Sequence, residues 1–244
     1  AYDRAMAERV FAPLGMKRTT LRQAAALADA DHATPHSMDL QGKHHVVPIS
    51  HERFASYIRP SGGIWSSARE MARYLIAELR GGIGPDGERV VSEQNLLRRR
   101  KPIVKISADQ AYGLGWVIAE HKGLARVVHG GGTMGFATLL SFYPERGVGA
   151  ILIANGVGGH FVQGRVWNRL TELWFGTDEK ARQRLDHAMA QLEQERAKLA
   201  RRTRVPAAEW IQPLLGVHHN DELGRFELRP LAGGRAGAVE LDAG

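Results

Sequence analysis

The sequence predicts an α+β fold, an antiparallel β-sheet flanked by helices in a sandwich-like arrangement. Three observations carry this. Four β-like segments follow one another between Tyr112 and Ala154 with short connections, the mark of an antiparallel meander. Helical patterns stand on both sides of that block, at Ser66–Leu79 and Phe161–Phe175. The 244 residues are 43% apolar and 24% charged, an ordinary globular composition that can build a core.

The elements follow in order. Tyr2–Phe11 reads as an amphipathic helix with Ala5, Met6, Val10 and Phe11 on one side, ended by Pro13 and Gly15 of APLGM (Ala12–Met16). Arg18 to Pro60 shows no sustained period and reads as a long loop-rich stretch. Pro60–Trp65, PSGGIW, is a glycine-rich turn into the next helix. There Ser67 and Glu70 form the S-x-x-E of a capping box, which predicts reciprocal capping of the first turn. Met71, Leu75 and Leu79 recur at helical spacing, flanked by Tyr74 and Ile76, and Gly81–Gly82 stop the helix. A second short helix runs from Ser92 to about Arg100.

From Tyr112 the period changes. Tyr112–Glu120 reads as one strand, paired through a turn at His121–Gly123 with Leu124–Val128. Ala137–Tyr143 and Val148–Ala154 are two more, joined by the turn Pro144–Gly147; Asn155 and Gly156 end the latter as a central strand, without a catalytic role. Asp178–Arg202 reads as a solvated, charged connecting helix with a narrow stripe of Leu185, Met189 and Leu192. Trp210–Leu228 reads as the first strands of a small β module, with a hairpin turn at His219–Gly224. The 38 residues from Ala207 to Gly244 are too few for a stable domain of their own, so the module is expected to be truncated.

Composition narrows the chemistry. With no cysteine, disulfides, thiolate metal sites and cysteine nucleophiles are excluded. The net charge of +7 bears on solubility and anionic partners, not on fold. The longest apolar run, Val148–Ala154, is far short of the ~20 residues of a spanning helix. Ala1–Val10 has scattered charges and no signal-peptide core, and the chain reads as starting in mid-helix. His32 and His36 are four apart, but Pro35 between them spoils a helical metal site, so no metal and no cofactor is assigned. His44–His45 and His218–His219 read as loop or surface pairs. Arg98–Lys101, RRRK, reads as a solvated helix end rather than a nucleic-acid contact. Trp65, Trp116 and Trp167 read as core or groove-lining aromatics.

The most informative segment is His129–Phe136, HGGGTMGF, placed where one strand ends and the next begins. Two readings stand. Consecutive glycines uncover backbone N–H groups that can donate to a developing oxyanion, beside a histidine suited to acid–base work near neutral pH. Alternatively, the run is a glycine-rich bend with an exposed histidine.

Five segments in order, APLGM (Ala12–Met16), PSGGIWSSAREMARYL (Pro60–Leu75), YGLGW (Tyr112–Trp116), HGGGTMGF (His129–Phe136) and FYPERGVGAILIANG (Phe142–Gly156), resemble the serine β-lactamase-like family. That family includes class C β-lactamases, DD-peptidases and related esterases and amidases. The resemblance runs from the N-terminus to about Phe175. It implies a β-lactamase/transpeptidase-like fold, with residues 1–176 the C-terminal part of a catalytic domain, 177–206 a connecting helix and 207–244 the start of a small β domain. His129-Gly130-Gly131 matches the family's third motif, which lies on the edge strand lining the active site. By that match the N–H of Gly132 is an oxyanion-hole donor and His129 takes the place of the motif's lysine. Gly130, Gly131 and Thr133 then line the substrate, and the Ser61–Gly62 turn approaches it.

The resemblance implies acyl transfer to a serine activated by a lysine. Here the sequence departs from the pattern. None of the nine serines, at 37, 50, 56, 61, 66, 67, 92, 107 and 141, stands three residues before a lysine. The second motif, a tyrosine followed two residues later by asparagine, is absent as well. Both motifs precede the APLGM-like segment in the family. The expectation is therefore a serine hydrolase whose N-terminal half lies outside this sequence, with a small-molecule or peptide amide or ester as substrate. The chain alone is then inactive. Histidine at position 129 leans towards a peptidase, amidase or esterase over a dedicated β-lactamase. The resemblance also implies an extracytoplasmic, periplasmic location. Two further classes stand beside it: a non-catalytic binding protein that keeps the family's sheet, and a basic nucleic-acid-binding module.

Overall fold

The computed structural model describes residues 1–39, 42–121, 123–176, 180–203, 207–221, 224–230 and 239–242. The chain divides into two compact units, Ala1–Ala188 and Met189–Gly244.

The first unit is built on one antiparallel sheet. Its strands are β3 (Val104–Lys105), β4 (Gln110–Tyr112), β5 (Val117–His121), β6 (Leu124–Gly132), β7 (Ala137–Tyr143) and β8 (Val148–Ala154), each beside its sequence neighbour. The α+β expectation holds, with six strands in place of four. Tyr112–Glu120 is not one strand: Gly113 donates to the carbonyl of Trp116 at 2.7 Å and a tight turn splits it into β4 and β5. Nor is the Val148–Ala154 strand central, since β8 lies at the end of the sheet.

Side chains alternate across a strand, so each face is read from every second residue. Val127, Leu140 and Phe142 point to one face and pack with Leu75 and Trp116, the Trp116 and Phe142 rings meeting edge-on at 5.4 Å. Each such side chain stabilises by about 1.5–3 kcal/mol on burial. Leu75 belongs to α3 (Ala68–Leu79), which lies against β8. Gly149 leaves room at this contact: a Cβ there would stand 2.5 Å from that of its cross-strand partner Phe142 and 3.1 Å from Leu75 Cδ1. On the opposite face, Tyr143 stacks on Trp167 of α5 (Gly159–Phe175), and the Arg126 guanidinium lies 4.6 Å over the same indole. Arg126 also donates to Ser141 Oγ at 2.8 Å, and burial pushes its pKa below the usual arginine value.

A second cluster covers the outer side of α3. Phe11, Leu14, Met16 and Leu21 pack with Ala77, while Met71 and Tyr74 touch both clusters. The helix of Tyr2–Phe11 is α-helical over α1 (Tyr2–Met6) and continues as a π-helical turn, Ala7–Phe11. Ser67 caps α3 as expected, its Oγ accepting from Glu70 N at 3.3 Å. The reciprocal half of the capping box does not form. Glu70 turns inward and accepts from Arg18 N at 2.9 Å and from the hydroxyl of buried Thr19 at 2.5 Å. Glu78, 2% exposed, accepts from Arg99 and Arg100 at the end of α4 (Glu93–Arg99). Two residues of the RRRK run thus serve this buried pairing.

The stretch from Arg18 to Pro60 carries more structure than its lack of period predicts. It holds α2 (Gln23–Leu27), the hairpin of β1 (His36–Met38) with β2 (His44–Val46), and a 3₁₀ helix, Ile49–Ser56. His44 and His45 are strand residues, both exposed. Short elements of three to eight residues leave too little repetition for a periodicity to register.

Helix α6 (Ala181–Arg202) crosses the boundary between the units. Leu185 and Met189 of its apolar stripe stay 37% and 40% exposed. In the second unit, Trp210 belongs to a helical turn, α7 (Ala208–Ile211), and not to a strand. The β module begins later, as β9 (Gly216–Asn220), β10 (Gly224–Pro230) and β11 (Val239–Asp242), antiparallel in the order β11-β10-β9. Asn220 pairs with Gly224 across the expected hairpin, and residues 222–223 of its turn lie outside the described residues. His218 stacks on Phe226 at 5.3 Å.

Tyr74 gives this packing a pH signature. Burial foremost, and then the Glu78 carboxylate, push its phenol up to about 12. The unfolded chain therefore loses this proton first, near pH 10. The contribution is complete below pH 10 and is lost as pH rises towards 12, on the order of 2 kcal/mol. Urea unfolding across that window is expected to show the loss, with a late phenolate absorbance step that Tyr74→Phe removes.

Candidate active site

The glycine run is strand rather than bend, and it forms the end of β6. His129–Gly132 continue β6, and Leu140 to Ala137 of β7 pair with them residue for residue. The turn comes later: Thr133 N donates to Phe136 O at 3.0 Å and closes a tight hairpin. In an antiparallel ladder the hydrogen-bonded pairs alternate. Counting back from Thr133, the N–H groups of Gly131 and His129 turn towards β7, and those of Gly132 and Gly130 turn away from it.

On that other side β5 has already ended. Its last paired residue is Val117, opposite Val128. His129–Gly132 therefore lie on a strand that is central by sheet order but becomes an edge over its last four residues. Gly130 and Gly132 present their N–H groups along this edge with no strand beside them. His129, Gly130, Gly131 and Gly132 are all exposed, and Thr133 is half-buried with its hydroxyl lacking a hydrogen-bond partner.

Two imidazoles flank the edge. His129 stands on the α3 face, and its Nε2 lies 2.9 Å from the Tyr112 hydroxyl, with the rings edge-on at 6.0 Å. His160, at the start of α5, covers the opposite face. A Cβ on Gly132 would lie 3.0 Å from His160 Nε2, and one on Gly131 would lie 2.7 Å from Thr138 Oγ1. Small residues are thus favoured at Gly131 and Gly132, one from each face.

The hairpin tip is held from outside. Gly135 N donates to the buried Glu52 carboxylate at 3.0 Å. Gly135 also lies so close to Pro35 that a Cβ would stand 2.3 Å from the proline Cβ. The same segment crosses to the end of β8: Asn155 Nδ2 donates to Thr34 O at 2.8 Å, and Val157 N to His36 O at 3.0 Å. Asn155 is thus a tether between strand end and strap.

Ser61 and Gly62 sit on another element, the turn before α3. Ser61 Oγ donates to Ile58 O, and among the described residues no hydrogen bond joins Ser61 to β6. The turn approaches the site through Trp65, whose half-buried ring meets Phe136 edge-on at 6.1 Å. Trp116 and Trp167 are core residues, 4% and 1% exposed. His32 Nδ1 lies 2.6 Å from Asp29 O. Among the described residues no three His, Asp or Glu side chains gather as a metal site. Among the described residues no helix is long and apolar enough to cross a membrane.

Sequence reading marked His129 and the glycines but missed Tyr112 as the partner of His129, and missed Glu52 and His160. YGLGW carries a signal for the first, since its turn ends β5 beside the run. Glu52 and His160 are isolated residues that only the tertiary structure brings there. Tyr112→Phe removes the hydroxyl and leaves the ring. The expected outcome is a folded protein in which the His129 side-chain nitrogen resonances move while those of His218 stay, as read by nitrogen-15 NMR.

The sequence model of the Beta-lactamase family matches residues 1–171. Penicillin-binding protein 4 of Amycolatopsis lactamdurans is 26% identical over 161 residues, 64% of this chain and 42% of that protein. Among solved structures, the octameric penicillin-binding protein homologue from Pyrococcus abyssi superposes with a TM-score of 0.63 at 19% identity, covering 99% of this chain and 48% of that one. The penicillin binding protein from Bacillus halodurans gives 0.55 at 19%, covering 69% and 49%. The D-stereospecific amidohydrolase from Streptomyces sp. gives 0.52 at 21%, covering 72% and 49%. These structural likenesses concern the fold, and the chain spans less than half the length of each of these relatives. With its ordered motifs, its sheet and a family match over residues 1–171, the chain belongs to the Beta-lactamase family.

Proposed function

We propose that the chain contributes the sheet side of a serine hydrolase active site that works by acyl transfer on an amide or ester. The observation that carries this is the free edge of β6, where the Gly132 N–H points away from β7 beyond the end of β5. A fixed backbone donor stabilises the oxyanion of a tetrahedral intermediate without reorganising, and such donors act at about 2.7–3.1 Å. Gly130, Gly131 and Thr133 line the same edge for substrate, and Ser61 and Gly62 approach from the turn before α3. His129, oriented by Tyr112, takes the motif's lysine position and supports proton transfer or the negative end of the substrate.

Residues 1–176 are read as the C-terminal part of the catalytic domain, 177–206 as the connecting helix and 207–244 as the start of a small β domain. The nucleophile is assigned to residues outside this sequence, because no serine here stands three before a lysine. The names of the relatives, penicillin-binding proteins and a D-stereospecific amidohydrolase, support an amide substrate. Histidine at 129 favours peptidase, amidase or esterase action over a dedicated β-lactamase. The missing serine motif is also what favours a second reading, a binding protein that keeps the sheet without catalysis.

Two measurements test these readings. The chain by itself is expected to form no acyl-enzyme. Intact mass after incubation with a fluorescent penicillin or a fluorophosphonate stays unchanged, and a stoichiometric adduct on any serine would overturn the assignment of the nucleophile. In the complete natural protein, His129→Ala is expected to lower acylation of a chromogenic ester on the order of 10²-fold and to change its pH profile, while the fold is kept. Unchanged rates and profile would make His129 a bystander. A complete protein that never acylates would leave the binding reading.

A further inference from the structure

The Glu52 carboxylate is 3% exposed, and among the described residues no cation pairs with it. Taking a carboxylate out of water without an ion pair costs several kcal/mol unless it accepts good hydrogen bonds. The bond seen is to a backbone group, the Gly135 N–H at 3.0 Å, across 83 residues of sequence. A glutamine would accept from an amide without the cost of a charge, and an apolar side chain would fill the space without any polar group. Among the described residues the hydrogen bond seen at this carboxylate goes to one backbone amide.

That amide sits at the tip of the hairpin that continues the glycine run. Gly132, Thr133, Met134 and Gly135 are consecutive, and the Thr133–Phe136 bond transmits the position of the tip back to Gly132. Among the described residues no strand neighbours β6 here on its β5 side, so β7, His160 against Gly132 and the tip contacts fix the direction of the Gly132 N–H. The tip is contacted by Glu52 on the Gly135 amide, by Pro35 close against Gly135, and by Trp65 against Phe136. Of these only the Glu52 bond is directional.

We infer that Glu52 is a positioning residue for the oxyanion-donor strand: its buried carboxylate, by holding the Gly135 amide, fixes the aim of the Gly132 N–H. This rests on the hydrolase reading above for its catalytic meaning, and on the hydrogen bond alone for its structural meaning.

The test separates the two. In nitrogen-15 NMR of the chain, Glu52→Gln keeps shape and acceptor but weakens the bond, and Glu52→Ala removes it. Amide exchange at Gly135 is expected to quicken about tenfold in Glu52→Gln and further in Glu52→Ala. The Gly132 resonance is expected to move with it while that of Val127, deeper in the same strand, stays. In the complete natural protein, the same two variants are expected to lower kcat for an ester in that order, with KM little changed and more than half the rate kept by Glu52→Gln. If Glu52→Ala does not fold, Glu52→Gln alone decides, through Gly135 exchange and the Gly132 resonance. An unmoved Gly132 resonance in a folded variant overturns the inference, as does an equal loss of kcat in both variants. A complete protein with no esterase or amidase activity overturns the hydrolase reading and leaves the NMR result to judge Glu52.

Discussion

The burial of α3 on two sides at once is the constraint on which the first unit depends. Met71 and Tyr74 touch the cluster under the sheet and the cluster under the APLGM segment, so the helix is the shared wall of two cores. A helix buried on both sides has little polar face left, yet α3 carries Glu70 and Glu78 at buried positions. Each is used to capture a different segment. Glu70 takes the Arg18 amide and the Thr19 hydroxyl, and Glu78 takes the two arginines that end α4. The segments before and after the helix are thus fastened to it by charge-assisted bonds, which are directional, on top of apolar contact, which is not.

The site follows from where the sheet stops being complete. With α3 against β8 on one face and α5 against β7 and β8 on the other, the paired end of β6 is fixed. The early turn at Gly113–Trp116 then ends β5 short of Gly130. What is left is four residues of backbone, open on one side and rigid on the other. A Cβ at Gly131 or Gly132 would press on the Thr138 or His160 side chain, so packing as well as access favours small residues at these two positions. That explains why the run alone was ambiguous in the sequence. Glycines that make a bend and glycines that keep a strand bare are the same letters, and only the register with β7 tells them apart.

Legibility in the sequence followed repetition. Helix α3, strands β7 and β8, and α5 each repeat a pattern often enough to be read within a residue or two. The short pieces between Arg18 and Pro60 do not repeat, and they turned out to carry the strap and the Glu52 helix. Tyr112–Glu120 reads as one strand because Leu114 and Trp116 keep the apolar alternation through a turn marked by two glycines. The capping box was half right for a related reason. Ser67 caps through a local bond, whereas Glu70 answers to donors some fifty residues away. Of the site, the motif letters gave His129 and the glycines. Tyr112 comes to His129 beside the turn that YGLGW encodes, whereas Glu52 and His160 reach the run only through tertiary contacts that no sequence pattern spans.

The buried carboxylates share a logic that connects stability to chemistry. An ion pair or carboxylate inside a protein is weak as a source of stability, since its desolvation offsets most of its attraction. Its use lies in direction: removing one partner strands the other, so one arrangement is favoured over its near neighbours. Glu78 applies this to helix packing, Glu70 to the exit of the APLGM segment, and Glu52 to the tip of the β6–β7 hairpin. The three differ in what they hold, namely guanidinium groups, a hydroxyl with an amide, and a single amide. The last is the thinnest reward for the same desolvation, and it stands next to the one stretch of strand that lacks a neighbour. A structure assembled for stability alone gains little from a charge there, whereas one that must keep a backbone donor aimed along an open edge gains the direction that apolar packing cannot supply.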